Sequence, residues 1–317
     1  MSGWVVVGTA VALTSAALMG LAIQRGATCM VAAVDEIVTT HRATRALALA
    51  EAALWVGGLL ALAQLAGVLG MSPARYQVSG WTIVGGALLG LGAWVNRACV
   101  FGAIARIGSG QWAWLATPPG FFLGCLVPLH ATTALPMSKQ VAPFALTGAV
   151  ALGVALLMVW RLVEATRAPR FLAHWWHPHR ATLLIALTFV VTLLTVGLWA
   201  YTDALAALAR GMEARLNLRL AMALALLGGA IVGGWIAGSL HAVMPRPIDL
   251  LRCAVGGALM GLGAMLVPGG NDGLILVGLP ALLPHAWVAV TTMVLSIAAL
   301  VALERRVERQ QIASMAA

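Results

Sequence analysis

Apolar residues in this chain form long stretches separated by short polar segments. Nine stretches have about the length, roughly 20 residues, that a helix needs to cross the hydrocarbon of a bilayer. They are 4–23, 46–70, 80–95, 113–134, 141–161, 181–201, 219–241, 249–266 and 286–303. Three more, 27–38, 98–107 and 272–283, are too short to cross and lie beside Gly- or Pro-rich breaks. The pattern predicts an all-α polytopic membrane protein with about nine transmembrane helices and three short broken or re-entrant helices.

Composition supports the membrane assignment. The chain has 317 residues, of which 62% are hydrophobic and only 9% charged, whereas an ordinary soluble domain is roughly a quarter charged. The formal net charge is +9, but the basic residues gather at the ends of apolar stretches, as they do in the cytoplasmic loops of membrane proteins. We therefore expect a lipid bilayer as the surroundings and no nucleic acid as a partner.

The arginines also predict an orientation. Nine crossings place the termini on opposite sides of the membrane, and an outside N-terminus brings most basic segments to the cytoplasmic side. Those segments include Arg42, Arg45, Arg106, 161–180, Arg246 and 305–309, while Arg75, Lys139 and 210–219 are exceptions. We expect a multi-pass protein of the bacterial inner (plasma) membrane, with the N-terminus outside and the C-terminus in the cytoplasm.

An internal repeat divides the chain. The segment Gly85–Ala93 matches Gly256–Ala264 at an offset of 171, with eight of nine positions identical. On the predicted topology the two copies run in opposite directions, which is typical of inverted repeats that form substrate sites at broken helices. The predicted units are an N-terminal repeat half 1–162, a cytoplasmic connection 163–180, a C-terminal inverted repeat half 181–304 and a cytoplasmic tail 305–317.

The repeat selects candidate site residues. Cys29, Cys99 and Gly270 each lie nine positions after a glycine of the repeated phrase, namely Gly20, Gly90 and Gly261. Polar side chains flank the same breaks, and we count them as candidates for binding an anion. The candidate substrate-binding residues are Cys29, Cys99, Gly270, Arg25, Arg97, Gln24, Asn96 and Asn271.

Ordinary structural explanations stay open for these residues. Glycines four positions apart usually allow close helix packing, a membrane cysteine is usually a small hydrophobe, and arginine can snorkel to the interface. Cys29, Cys99, Cys125 and Cys253 show neither CxxC nor Cys/His spacing, so no disulfide framework, metal or cofactor is predicted. No residue is predicted to be catalytic.

A thiol beside a cation has two possible uses, and the sequence leaves both open. As an S–H donor it makes weak hydrogen bonds to a soft, sulfur-containing anion, which suits a conduit because the anion must also leave. As a thiolate it attacks sulfur and carries it as a persulfide. Cys29 and Cys99 are the candidates in either case.

The motifs resemble those of the YeeE/YedE family of inner-membrane proteins. The matching phrases are Gln24–Cys29, Gly90–Gly102 with Arg106–Gly110, and Gly261–Ala264 followed by Pro268–Gly273. The resemblance implies an hourglass-shaped transporter, not an enzyme, that takes up thiosulfate or a related sulfur compound, with cysteines at the constriction relaying the ion. Cys29 and Cys99 match two family cysteines, whereas Gly270 stands where the family usually has a third.

This family resemblance leads to a main expectation and an alternative. We expect a transporter or facilitator for a small sulfur-containing anion, with a cytoplasmic sulfur-handling protein as a possible partner. The alternative is a membrane thiol-transfer protein that carries sulfur as a persulfide on Cys29 or Cys99.

Overall fold

The computed structural model describes residues 3–26, 28–69, 74–131, 140–141, 148–166, 178–211 and 216–316. Lys139, most of the predicted connection 163–180 and the last residue of the predicted tail 305–317 lie outside the described residues. The described chain is almost entirely helical. Its two short strands, β1 (Ala74–Arg75) and β2 (Gln140–Val141), pair antiparallel with Ala74 opposite Val141.

The helices follow the predicted apolar stretches. In the N-terminal part they are α1 (Gly3–Gly26), α2 (Met30–Thr40), α3 (Thr44–Leu65), α4 (Gly80–Asn96), α5 (Val100–Gly108), a 3₁₀ turn (Trp112–Ala116), α6 (Thr117–Ala131) and α7 (Gly148–Thr166). In the C-terminal part they are α8 (Pro178–Val196), α9 (Tyr201–Ala209), α10 (Leu216–Ile236), α11 (Pro247–Leu266), α12 (Asn271–Gly273), which continues as a π-helical turn (Leu274–Gly278), and α13 (Pro284–Ala316).

Six helical segments of the described residues are long and apolar enough to cross a membrane. The number becomes seven when α8 and α9, which are bent by 42° at a short break, are counted as one span. The predicted stretches 113–134 and 141–161 correspond to α6 and α7, which are not among the six. The structure is thus that of a multi-pass helical membrane protein, and its described residues contain six or seven qualifying spans where nine were predicted.

A long helix followed by a break and a short helix recurs four times. The short helices α2, α5, α9 and α12 begin after Cys29, Cys99, Ala200 and Gly270, each of which has extended backbone and makes no side-chain cap. Three of these breaks were predicted; the one before α9 was not. Cys29 and Ala200 are 171 positions apart, as are Cys99 and Gly270, so all four breaks obey the offset of the repeated phrase.

Packing between helices follows the same correspondence. α1 packs on α10 and α3 on α8, while α11 packs on α6 and α4 on α13. Each contact therefore has a counterpart in which the two corresponding helices exchange roles. The two halves of the chain interlock, since helices of one half pack mainly on helices of the other.

The repeated glycine phrase packs against its own second copy. A Cβ added at Gly92 would lie 2.7 Å from the carbonyl oxygen of Gly256, and one at Gly85 would lie 2.8 Å from that of Gly263. The ascending positions of α4 thus meet descending positions of α11, so these helices cross antiparallel. Only glycine allows backbones this close, which confirms close helix packing as a role of the phrase.

Candidate functional site

Cys29 and Cys99 meet in the interior. Both are the residues that immediately precede short helices, and their Sγ atoms lie 3.8 Å apart, with the Cys99 thiol donating to Cys29. The backbone N–H of Met30, the first residue of α2, donates to Cys99 Sγ at 3.2 Å. Cys29 and Cys99, which are 70 positions apart in the sequence, therefore meet at the start of α2, where their thiols are hydrogen-bonded. We call this pair the thiol constriction, where constriction means only a close contact of buried side chains at a helix break.

Gly102 makes room for the thiol constriction. A Cβ at this position of α5 would lie 2.5 Å from Cys29 Sγ, a distance that real Cβ contacts essentially never reach. A side chain here would push Cys29 away from Cys99. The glycine in the Cys99–Gly102 phrase is thus needed for the two thiols to touch.

A cavity of about 530 Å³, which we call the large vestibule, leads to Cys29. Cys29 lines it and is 8% exposed, whereas Cys99 lies behind and is fully buried. The other residues that line the large vestibule come from α1 to α5, the turn after α5, and α13. They are Gln24, Val31, Ala32, Asp35, Arg45, Trp94, Arg97, Gly102, Ala105, Arg106, Ser109, Val301, Glu304, Arg305 and Glu308. An ion in this space would meet thiol sulfur at one end and charged side chains around it.

Most charges at the mouth of the large vestibule are paired. Arg97 lies 3.7 Å from Glu304, and its side chain is 65% exposed. Arg305 lies 3.1 Å from Asp35 and 3.7 Å from Glu308. Exposed ion pairs of this kind add little to stability. Their main effect here is to surround the mouth of the cavity with side chains of both charges.

The remaining N-terminal candidates fall into different places. Gln24 lines the large vestibule, where its Nε2 donates to Ser239 Oγ at 3.0 Å and its buried Oε1 has no partner among the described residues. Asn96 is fully buried away from the vestibule, with Nδ2 donating to the Ala98 carbonyl and Oδ1 accepting from Thr117. Arg25 is partly buried and lines neither the large vestibule nor a second cavity, which is lined by Gly270.

Gly270 lines a second cavity of about 220 Å³, the small vestibule. It is bordered by Tyr76, Leu198, Asp203, Ala206, Ala207, Arg210, Arg219, Ala264, Met265, Pro268 and Gly269. Four of the twelve lining residues, Asp203, Ala206, Met265 and Pro268, lie 171 positions after residues that line the large vestibule, namely Ala32, Asp35, Trp94 and Arg97. The two cavities therefore occupy corresponding places in the two halves.

Thr202 explains why position 270 holds no cysteine. A Cβ at Gly270 would run into the Thr202 side chain. Thr202 in turn donates from its hydroxyl to Asp272 Oδ1, and its backbone N–H donates to Asp272 Oδ2 at 3.1 Å. Asp272 also accepts from the backbone N–H of Gly273. A buried carboxylate thus caps the start of α9, and we call this group the carboxylate constriction.

Asn271 lies between Gly270 and Asp272 in the sequence, and its side chain has unused hydrogen-bonding capacity. Its side chain is fully buried, and neither its amide nitrogen nor its amide oxygen has a partner among the described residues. Such groups are rare because each costs about 1–3 kcal/mol when left unpaired in the interior. The amide therefore keeps a donor and an acceptor that the described residues do not use.

Three polar residues of the site were missed by sequence reasoning. Thr202 and Asp203 follow the unpredicted break, and the repeat offset applied to Cys29 would have found that break. Arg106 was predicted as a topology signal and belongs to a phrase of the family resemblance, but it was not among the candidate site residues, although it lines the large vestibule. Among the described residues, no group of three or more His, Cys, Asp or Glu has the geometry of a metal site.

Two vestibules that approach broken helices within an apolar helical bundle define a multi-pass membrane protein of the transporter class. Residues 25–299 match the model of the sulphur transport family. The chain therefore belongs to that family, which confirms the YeeE/YedE resemblance. It is similar to the thiosulfate transporter TsuA of Spirochaeta thermophila, with 28% identity over 306 aligned positions that cover 86% of this chain and 92% of that transporter. The family and this relative are transporters rather than enzymes.

Proposed function

We propose that this protein takes up a small sulfur-containing anion, thiosulfate or a close relative, through a path that includes Cys29 and Cys99. The observation that carries the proposal is the contact of two thiols at the end of the large vestibule, in a chain of the sulphur transport family. The name of the similar transporter favours thiosulfate as the substrate.

The thiols serve as weak donors in this proposal. The Cys99 S–H now points at Cys29 across 3.8 Å, and a soft anionic sulfur can take the place of that acceptor. Thr28, beside Cys29, has a buried hydroxyl without a partner among the described residues and can donate to the same ion. Weak, replaceable hydrogen bonds suit conduction because an ion held strongly would not leave.

The second half of the path runs through the small vestibule. Gly270 lines it, and the unpaired amide of Asn271 supplies both a donor and an acceptor beside it. Gln24 and Arg97 border the large vestibule, while Arg25 and Asn96 lie outside it and support the breaks before α2 and α5. The ion passes from the small vestibule to the thiol constriction and on to the large vestibule, as through an hourglass.

We further propose that the two halves are inverted repeats of a protein in the bacterial inner membrane. The antiparallel crossing of α4 and α11 and the exchanged helix contacts support inversion. Arg45, Arg97, Arg106 and Arg305 border the large vestibule, and basic residues favour the cytoplasmic side. The proposal includes nine crossings, an outside N-terminus, a cytoplasmic C-terminus, and a cytoplasmic sulfur-handling protein that consumes the ion.

The contact between the thiols also supports the persulfide alternative. In that reaction a thiolate of Cys29 attacks the outer sulfur of thiosulfate, the sulfur–sulfur bond of the ion breaks, and sulfite leaves with the bonding pair. Cys99 lies close enough to accept the sulfur next. Mass spectrometry of the protein after exposure to thiosulfate separates the two, since a conduit carries no added sulfur on either cysteine.

Uptake in a bacterial host that lacks other thiosulfate importers tests the main proposal. Cys29→Ala and Cys99→Ala should each lower the rate of labelled thiosulfate uptake about tenfold or more, because each removes a hydrogen bond to an ion. Cys125→Ala and Cys253→Ala are matched controls, since these cysteines are also fully buried but line neither vestibule. Wild-type uptake by both Cys29→Ala and Cys99→Ala would refute the proposal.

A further inference from the structure

One face of α5 carries a cation into the large vestibule. Gly102, Ala105, Arg106 and Ser109 all line the cavity, and their spacing of three and four residues places them on one side of a helix. Arg106 lies two helical turns beyond Cys99, the residue that precedes α5. Gly102 on the same face lies against Cys29, so this face connects the thiol constriction with the arginine.

The Arg106 side chain is held in place by neutral partners. Its guanidinium carbon lies 4.5 Å from the centroid of the Trp114 ring, within the range of a cation–π contact. One nitrogen donates to Gln111 Oε1 at 3.0 Å. Trp114 is itself fixed, because it is only 8% exposed and its Nε1 donates to the Asn96 carbonyl at 3.1 Å. Among the described residues, the guanidinium is therefore positioned without a counter-charge.

The other arginines of the large vestibule differ from Arg106. Arg97 and Arg305 are paired with carboxylates, and Arg45 is exposed to solvent. Among the described residues, no carboxylate oxygen lies within 4.0 Å of Arg106, which is only partly exposed. A partly buried charge is screened less by salt than an exposed one, so Arg106 keeps more of its positive field in this cavity than Arg45 does.

We propose that Arg106 is the residue that selects anions in the large vestibule, where it binds the oxygen atoms of the ion while thiol sulfur contacts the sulfur atom. The inference rests on the proposed function. An ion such as thiosulfate has oxygens at one end and a soft sulfur at the other, and the planar guanidinium suits oxyanions because it offers parallel N–H donors. Asn96 then acts indirectly, because its backbone carbonyl accepts from Trp114 Nε1 and anchors the ring beside the arginine.

Transport by the purified full-length protein in liposomes tests this role. Arg106→Gln should raise the half-saturating thiosulfate concentration about tenfold, as expected for the loss of a hydrogen-bonded charge, with a smaller change in the maximal rate. Arg106→Lys keeps the charge without the planar donors and should raise that concentration about threefold. Raising the salt concentration should raise the half-saturating thiosulfate concentration of the wild type more than that of Arg106→Gln.

Arg252→Gln is the matched control. Arg252 lies 5.6 Å from the same Trp114 ring, but it pairs with Asp249 and lines neither vestibule. This variant should keep the wild-type half-saturating concentration. An equal effect of both arginine variants would overturn the proposal, because the effect would then come from packing on the tryptophan.

The outcomes separate this proposal from the one on which it rests. If the wild type transports thiosulfate and Cys29→Ala does not, a wild-type half-saturating concentration for Arg106→Gln would overturn the role of Arg106 alone. If the wild type transports no thiosulfate, the proposed function itself fails. Where Arg106→Gln does not reach the membrane, Arg106→Lys decides, and a wild-type value with it would also overturn the proposal.

Discussion

The thiol constriction and the carboxylate constriction occupy corresponding places but differ in chemistry. Both lie at the start of a short helix without a side-chain cap from the preceding residue, after Cys29 in one half and after Ala200 in the other. In the first, a backbone N–H of the opening turn donates to the neutral sulfur of Cys99. In the second, a backbone N–H of the opening turn donates to the carboxylate of Asp272.

This difference teaches which part of the repeat is structural. The broken helix and the N–H groups of its opening turn are present in both halves, and such groups attract negative charge. The side chain that accepts from them differs between the halves. A carboxylate already fills the anion-attracting position in the C-terminal half, whereas a weakly bonded thiol leaves it available in the N-terminal half. We therefore expect substrate selectivity to depend on the thiol constriction and stability to depend on the carboxylate constriction.

The largest effect should follow loss of the carboxylate. Asp272→Ala leaves the buried donors of Thr202 and Gly273 unpaired and should lower the free energy of unfolding by about 3 kcal/mol. Asp272→Asn keeps an acceptor oxygen and should cost about half as much. Thermal unfolding of the detergent-solubilised protein measures both. Equal stability of the alanine variant and the wild type would remove the structural role of this constriction.

Converting the second constriction toward the first should cost less. Gly270→Cys forces the Thr202 side chain away from Asp272 and should lower the unfolding free energy by about 2 kcal/mol. In the double variant with Thr202→Ala, the added cysteine should cost little more than Thr202→Ala alone, because the two changes affect one contact. Additive costs in the same unfolding measurement would contradict this explanation of the glycine.

Cys99 offers a test of sulfur against oxygen. Serine retains an acceptor for the Met30 N–H, so the free energy of unfolding of Cys99→Ser should lie within about 0.5 kcal/mol of the wild-type value. That of Cys99→Ala should be about 1 kcal/mol lower than the wild-type value. Uptake should nevertheless fall about tenfold in both variants, equivalent to about 1.4 kcal/mol. Wild-type uptake by the serine variant would show that any hydrogen-bonding group suffices at the thiol constriction.

The smallest change in stability is expected at Asn271. Its amide is buried without a partner among the described residues, and an apolar side chain of similar shape need not satisfy any hydrogen bond. The free energy of unfolding of Asn271→Leu should therefore lie within about 0.5 kcal/mol of the wild-type value, while the rate of thiosulfate uptake falls about threefold. Unchanged uptake would separate Asn271 from the path, and strong destabilisation would indicate a structural role instead.

Sequence patterns predicted the helices but only part of the site. Apolar length located the long helices, and the Gly/Cys register located the breaks at Cys29, Cys99 and Gly270. The break before α9 was missed because Ala200 gives no chemical signal. The repeat offset of 171 from Cys29 reaches Ala200, so the repeat itself predicts this fourth break.

Tertiary contacts account for what the sequence left open. Nothing in the spacing of Cys29 and Cys99 predicts a 3.8 Å contact, which depends on Gly102 bringing α5 against the end of the break. The pairing of Arg97 with Glu304 likewise joins residues of α4 and α13. A charge count treats both arginines of the 97–106 segment alike, and only the packing distinguishes the paired Arg97 from Arg106.

The interlocked packing of the halves also constrains how the protein is synthesised. Val301, Glu304, Arg305 and Glu308 of α13 complete the wall of the large vestibule, whereas Cys29 is synthesised long before them. The N-terminal half must therefore wait in the bilayer until α13 is inserted before its cavity is enclosed. A ribosome that stops before α13 releases a chain whose thiols have no finished vestibule around them.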